Sequence, residues 1–211
     1  MINEPPSVPE TLLKAGVSLI PTVGGALAVI IQDISDRRAY KAQETLAWTV
    51  DAVGESRLRQ LAESDSEFDA LLADMMFAAV RTGLDNKRRV LAKVVANAAT
   101  SDEPIDTAQL VVAALTELDG PHIRALARIR AAEVAAEGTE VPAGERGFSD
   151  PSENAAFHAG HKEPTPVLST LVRTGVVDPA TVVSGGVAIR GTTPFGRELL
   201  GYLEDESKPL S

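Results

Sequence analysis

The chain has 211 residues, a formal net charge of −10 and no cysteine. The acidic balance argues against nucleic acid as a partner, because phosphate contacts need an excess of Lys and Arg, and the lack of cysteine excludes disulfides and thiolate metal sites. Aromatic residues make up only 4 % of the chain, so the core must consist mainly of aliphatic side chains, a composition that favours helices.

The N-terminal half predicts a helical domain. Residues 1–10 contain three prolines and predict a mobile arm, whereas residues 11–105 carry apolar side chains at helical spacing. Residues 1–10 also lack the early basic residues of a secretory signal. We therefore expect a cytoplasmic protein.

An uncharged run at residues 15–31, AGVSLIPTVGGALAVII, stands out in this acidic chain. As a helix it would extend about 25 Å, slightly less than a bilayer core requires, and Pro21 with Gly24-Gly25 would interrupt it. Two interpretations remain: a central helix of a bundle, which we favour, or a segment that is buried at rest and inserts into a membrane when the fold opens. Its membrane or partner contacts would be Leu19, Ile20, Val23, Leu27, Ile30 and Ile31.

Two further helices are predicted in this domain. Ser66 with Asp69 indicates the beginning of one helix, and Asp85 indicates the beginning of the next. The second of these helices carries the cations Lys87, Arg88, Arg89 and Lys93. They form either a solvated face paired with neighbouring acids or a contact surface for anionic lipid or another polyanion. Near an anionic membrane each such cation contributes about 1 kcal/mol.

Residues 106–206 predict a winged-helix-like unit. Helices are expected from Asp106, with Leu110 on the buried side, and from Pro121, which suits a first helical position. Residues 137–164 lack periodicity and are rich in Gly, Pro, Glu and Ser. They predict a long flexible insertion.

A hairpin and two flanking helices complete this unit. A short helix is expected at Pro166–Thr174. Two β-branched pieces follow, Val176-Val177 and Val182–Ile189, and the second of them contains the turn signal Ser184-Gly185-Gly186. Thr193-Pro194 then begins a last helix. The predicted fold class is mainly α, with an N-terminal helical bundle followed by a winged-helix-like α/β unit with a small β-hairpin.

A winged helix raises the question of DNA binding. A DNA-binding unit of this kind places its third helix in the major groove and needs basic or amide side chains there. The expected third helix, PVLSTLVRT, has Arg173 as its one charged residue, while Arg190 lies in the hairpin and Arg197 in the last helix. We therefore favour a unit used for protein contact and keep a DNA-binding transcriptional regulator as the alternative.

No pattern in the sequence predicts catalysis. His158 and His161 have a spacing that suits two metal ligands, but no Cys and no second ligand motif accompany them. The sequence also lacks a nucleophile elbow, a phosphate-binding loop and a zinc-protease motif. We expect no enzymatic activity, no metal, no cofactor and no small-molecule substrate.

Four segments resemble the Abi-alpha (abortive-infection alpha) family of prokaryotic phage-defence-associated proteins. They are KRRVLAKVVANAATSD at 87–102, LVVAALTELDGPHIRALARI at 110–129, VLSTLVRTGVVD at 167–178 and TTPFGRELLGYL at 192–203. The resemblance implies a bacterial or prophage-encoded protein that is linked to defence against phage and has no known enzymatic chemistry. It supplies no catalytic residues.

These observations together predict a non-enzymatic interaction protein of the abortive-infection type. We expect a protein partner or self-association, with the winged-helix-like unit as the contact surface. On infection or loss of the partner, the apolar segment at 15–31 would be released towards the inner membrane, where the protein would be peripheral.

The substitution Leu27→Asp tests the membrane interpretation, because a charged side chain within a membrane segment is costly. The measurement is co-sedimentation with anionic and with neutral liposomes, after a mild acid or heat step that opens the fold. We expect binding that needs anionic lipid and that a folded Leu27→Asp variant loses. If the unsubstituted protein does not bind, the run at 15–31 is a core helix.

Overall fold

The computed structural model describes residues 25–100, 105–140, 148–180 and 187–206, and for residues 25–34 it describes the helix but not the side chains. In these ranges the protein is mainly helical with one small antiparallel hairpin, which confirms the coarse fold class predicted from the sequence. The helices are α1 (Gly25–Val53), α2 (Glu55–Ser64), α3 (Ser66–Arg81), α4 (Asp85–Thr100), α5 (Ile105–Glu117), α6 (Gly120–Ala136), α7 (Pro151–Gly160), α8 (Thr165–Arg173) and α9 (Pro194–Asp205), and the strands are β1 (Val177–Ala180) and β2 (Ala188–Thr192).

The chain divides into two compact units, Met1–Tyr40 and Lys41–Ser211. In the first unit, the described residues 25–40 all belong to α1, and the arm predicted at 1–10 lies outside the described residues. The second unit contains a hydrophobic core to which α2 to α9 and both strands contribute. The domain boundary predicted at 105/106 falls inside this unit.

Helices α3, α4 and α5 pack against one another in the core. Helix α3 begins at Ser66, as predicted, but its cap is the preceding residue. The Asp65 side chain accepts hydrogen bonds from the backbone N–H groups of Glu67 and Phe68 at 2.9 and 3.2 Å. The capping residue therefore lies one position earlier than the pattern predicted, since the N-cap precedes the first helical residue.

The flexible insertion predicted at 137–164 is wrong for the part that contains α7. Asp150 caps α7 by accepting a hydrogen bond from the Glu153 backbone N–H at 3.0 Å, and α7 packs against α6 and β2. The contact with β2 is close, because a Cβ at Gly160 would lie 2.9 Å from Cγ1 of Ile189. The small residues that look loop-like in the sequence permit this close packing.

The predicted hairpin is present, although β2 begins later than the pattern indicated. β1 and β2 pair antiparallel with Val177 opposite Thr192, and their register shifts between Asp178 and Pro179. The turn predicted at 184–186 lies outside the described residues. Helix α8 packs against α6 and β1, and α6, α7, α8 and the hairpin follow one another along the chain.

Helix α9 begins in close contact with the segment that leads into β1. The Thr193 hydroxyl accepts a hydrogen bond from the Gly196 N–H at 3.0 Å and donates one to the Gly175 carbonyl at 2.7 Å. A Cβ at Gly196 would overlap the backbone carbonyl of Val176. A residue without a side chain is therefore required at this point of α9.

The substitution Gly196→Ala should lower the free energy of unfolding by about 1–3 kcal/mol, the usual cost of overpacking. The added methyl group meets backbone, which cannot move aside as a flexible side chain can. Gly201→Ala in the same helix is the control, because a Cβ there meets nothing within 4 Å. It should raise stability by about 1 kcal/mol through helix propensity. Urea denaturation measures both, and equal effects would contradict the close approach at Gly196.

Candidate functional site

Lys87 is not part of a basic surface. Its side chain is 1 % exposed, and its Nζ donates a hydrogen bond to the Leu118 carbonyl at 2.8 Å. Asp119 Oδ1 lies 3.9 Å from the same nitrogen. Desolvation by burial lowers the pKa of Lys87; Asp119 raises it in part, and the positive charge of Arg81 adds to the lowering.

Arg88 is also buried, at 5 % exposure. Its guanidinium donates to Glu44 Oε2 at 2.6 Å and to Asp85 Oδ1 at 2.8 Å. The Trp48 ring lies 5.4 Å from the Arg88 guanidinium carbon and 4.7 Å from that of Arg89, distances at which a cation is attracted to the ring. These contacts join the C-terminal part of α1 to α4.

The anionic-surface contact predicted from four cations is therefore wrong for Lys87 and Arg88. Arg89 and Lys93 are exposed, but Arg89 stacks on an indole ring and Lys93 pairs with Glu206 at 3.2 Å. A signal for the burial of Lys87 was present in the sequence. It lies four residues before Leu91, on the apolar side of the helix.

The apolar segment at 15–31 can be placed only in part. Leu19, Ile20 and Val23 lie outside the described residues, and Leu27, Ile30 and Ile31 belong to α1 but have no described side chains. Within the described part of the chain, no helix is both long enough and apolar enough to cross a membrane. Membrane contact through this segment stays a prediction.

The three arginines of the DNA-binding alternative do not form one surface. Arg173 pairs with Glu117 at 2.6 Å, beside a groove between α5 and the N-terminus of α9. Arg190 and Arg197 line a different, polar pocket of about 220 Å³. The Arg190 guanidinium lies 5.4 Å from the Phe148 ring centre, and Arg197 donates to a backbone carbonyl of β2.

The polar pocket is organised by the buried carboxylate of Glu133, which is 5 % exposed. This carboxylate accepts hydrogen bonds from the backbone N–H of Thr192, from the Thr192 hydroxyl at 2.6 Å and from Arg130 at 3.1 Å. A Cβ at Gly191 would lie 2.7 Å from Glu133 Oε1, so the strand leaves room for the carboxylate. These bonds fasten α6 to β2, a structural role.

The two histidines that suited a metal by spacing both contact the ring of Phe157. Their ring centres are 5.3 Å (His158) and 4.4 Å (His161) from the Phe157 ring centre. Among the residues that the structure describes, no group of three His, Cys, Asp or Glu side chains could hold a metal ion. The histidines pack against an aromatic ring at the end of α7.

The solvent side of α5 carries an apolar residue that sequence reasoning placed in the core. Leu110 is 65 % exposed, because the buried side of α5 is formed by Ala108, Val111, Val112, Ala114 and Leu115. The prediction that Leu110 faces inward is wrong, and the correct register was present in the spacing of the five buried residues. A single exposed Leu on a helix is common in soluble proteins, so the residues around Leu110 decide whether it indicates a contact site.

Two shallow grooves adjoin α5, and Leu110 lines the first of them. The first, of about 340 Å³, is lined by Leu110, Ala113, Ala114, Glu117, Arg173, Thr174, Gly175 and Phe195. The second, of about 310 Å³, is lined by Val94, Asn97, Ala98, Thr107, Ala108, Val111, Glu198 and Tyr202. We call α5 with these two grooves the α5 surface.

Comparison with protein-family models, curated proteins and solved structures finds no match for this chain.

The lowered pKa of Lys87 predicts how stability depends on pH. The unfolded chain binds more protons than the folded one between the folded pKa and the ordinary value of 10.5, so the free energy of unfolding rises with pH in that window. Lys87→Met removes this group, and the rise contributed by Lys87 should disappear. Chemical denaturation at several pH values up to about 10 measures it.

Leu91→Met is the control for this comparison. It perturbs the same buried side of α4 without removing a titrating group, so its pH profile should run parallel to that of the unsubstituted protein. If the Lys87→Met profile is parallel as well, the Lys87 ammonium group does not titrate differently in the folded state.

Proposed function

We propose that this protein is a non-enzymatic interaction protein, linked to phage defence by its resemblance to the Abi-alpha family, and that the α5 surface is its contact site. The observation that carries the proposal is the exposure of Leu110 in the lining of the first groove. Apolar grooves with a few polar groups at the rim are typical of protein interaction sites. Glu117 and Arg173 provide a charged rim for the first groove.

The arrangement of the C-terminal elements supports a winged-helix unit beside this site, with Arg173 and Phe195 of that unit lining the first groove. The order α6, α7, α8 and hairpin, with α7 and α8 both packed against α6 and with the two strands paired, is the order of three helices and a wing. In this proposal the unit begins at α6 rather than at 106, and α7 takes the place of the second helix. Helices α2 to α5 would then form the N-terminal helical bundle.

The third helix of this unit, α8, is better suited to protein than to DNA. Its exposed residues include Thr165, Pro166 and Ser169, none of which is basic. Its one cation, Arg173, lies 2.6 Å from a carboxylate of α5. Reading base edges in the major groove depends on basic and amide side chains, so the exposed side of α8 offers little for that purpose.

A DNA-binding transcriptional regulator is the second candidate function, favoured by the helix and hairpin order and by the exposure of Arg190 and Arg197. Against it, the same pocket contains Glu133, Glu153 and Asp178, whose negative charge opposes phosphate binding. The interaction function is therefore preferred.

Membrane action would be a further part of the proposed function. With Lys87 and Arg88 buried, it is supported by the apolar character of residues 15–31 and not by a basic patch.

Leu110→Glu should remove protection against phage, because it places a charge at the apolar centre of the α5 surface while leaving the core intact. The measurement is the plating efficiency of a panel of phages on bacteria that express the protein. Val134→Glu is the matched control, since Val134 is 49 % exposed on α6 and lines neither groove of the α5 surface. It should protect as the unsubstituted protein does.

Two outcomes contradict the proposal. If a folded Leu110→Glu variant still protects, the α5 surface is not the contact site. If the unsubstituted protein protects against none of the phages, the link to phage defence is wrong. A salt-dependent shift of DNA from the protein's own locus, lost in Arg190→Ala, would instead establish the regulator.

A further inference from the structure

The exposed stripe of α5 is apolar at its centre and charged at its ends. Asp106, Leu110, Ala113 and Glu117 follow at spacings of four, three and four residues and are all exposed, so they share one face of the helix. Leu110 and Ala113 form the apolar centre. Asp106 and Glu117 lie about 16 Å apart along the helix axis.

This stripe and the grooves beside it lie on the same face of the second unit. Leu110 and Ala113 are on the ridge and also line the first groove, whose opposite wall includes Phe195 at the N-terminus of α9. A ridge that adjoins a groove allows each of two copies to place its ridge in the other's groove when a twofold axis relates them. A twofold interface requires that the same patch serve both subunits.

The charges at the two ends of the stripe select an antiparallel arrangement. With a twofold axis between Leu110 and Ala113, Asp106 of each copy faces Glu117 of the other. Two carboxylates alone would repel, but Arg173 lies 2.6 Å from Glu117, and its side chain is 66 % exposed. The guanidinium can therefore bridge Glu117 and the opposing Asp106, which places opposite charges together at both ends.

We propose that a second copy of this chain docks on the α5 surface, with the two α5 helices antiparallel. Leu110 of each copy enters the groove beside Phe195 of the other, and Arg173 bridges the carboxylates at each end. This inference rests on the proposed interaction function and names its partner. The position of the exposed Arg173 beside Glu117 favours a second copy over an unrelated protein, because the same residues then supply both sides of each charged contact.

The test is the mass of the full chain in solution, measured by light scattering and sedimentation over a range of concentrations. We expect a concentration-dependent dimer of twice 22.2 kDa. Leu110→Glu should raise the dissociation constant more than about tenfold, since it removes a buried Leu from each side of the interface. Val134→Glu should dimerise as the unsubstituted protein does.

A charge exchange tests the antiparallel register. Arg173→Glu places three carboxylates at each end of the interface and should weaken the dimer about tenfold or more. Combining Arg173→Glu with Asp106→Arg restores opposite charges and should recover most of the affinity. A loss that the second substitution does not recover, in variants with unchanged circular dichroism, would overturn the proposed register.

Cross-linking tests the position of the axis directly, because the chain has no cysteine of its own. Ala113→Cys should give a disulfide-linked dimer under mild oxidation, while Val134→Cys should remain a monomer on a non-reducing gel. A cross-link at Val134→Cys alone would place the dimer on another face and overturn the inference.

The failure of this inference differs from the failure of the proposed function. A monomer at every concentration overturns self-association, and so does a dimer that Leu110→Glu leaves unchanged. If the chain is monomeric and Leu110→Glu still removes phage protection, the α5 surface binds a different protein and the interaction function stands. If the chain dimerises as described but Leu110→Glu still protects, the dimer stands and the proposed function falls.

Discussion

Two cations buried on α4 organise the helical part of the second unit. A cation removed from water destabilises the fold unless oxygen atoms meet it, so the elements that supply these oxygens are held in place. Lys87 donates a hydrogen bond to the carbonyl of Leu118, directly after α5, and Arg88 donates one to the carboxylate of Glu44 in α1. The end of α5 that is held by Lys87 carries Glu117, the partner of Arg173. A buried ammonium group thus positions the charged end of the proposed contact surface.

A buried carboxylate does the same for the C-terminal elements. Glu133 on α6 accepts hydrogen bonds from the Thr192 backbone N–H and hydroxyl, which hold β2 against α6. Helix α7 packs against both α6 and β2, and small residues such as Gly160 permit the close contact with β2. The hairpin and α8 are therefore parts of the packed unit. The buried polar groups fix the positions of the helices and strands that carry the exposed side of α8 and the exposed stripe of α5. Rigid elements of this kind suit an interaction site.

The fold was easier to predict than the site, and particular residues show why. The N-termini of α3 and α4 follow from local signals, because a cap and an apolar stripe lie within a few residues of each other. Leu110 and Lys87 were assigned by residue type, an apolar residue to the core and a cation to the surface. Helical position decides otherwise, since Leu110 lies off the buried stripe of α5 and Lys87 lies on that of α4. Residue type outweighed spacing in both predictions, and spacing was the better guide.

The sequence by itself determined the mainly helical class, the presence of the hairpin and the start of the last helix, because caps, turn residues and apolar spacing act within a few residues along the chain. Only the tertiary structure decided that α7 is an ordered helix, that Lys87 and Arg88 are buried, and that Arg173 is separated from Arg190. Burial and pairing depend on which distant elements meet. Leu118 lies 31 residues from Lys87, and no local pattern states that the two will touch.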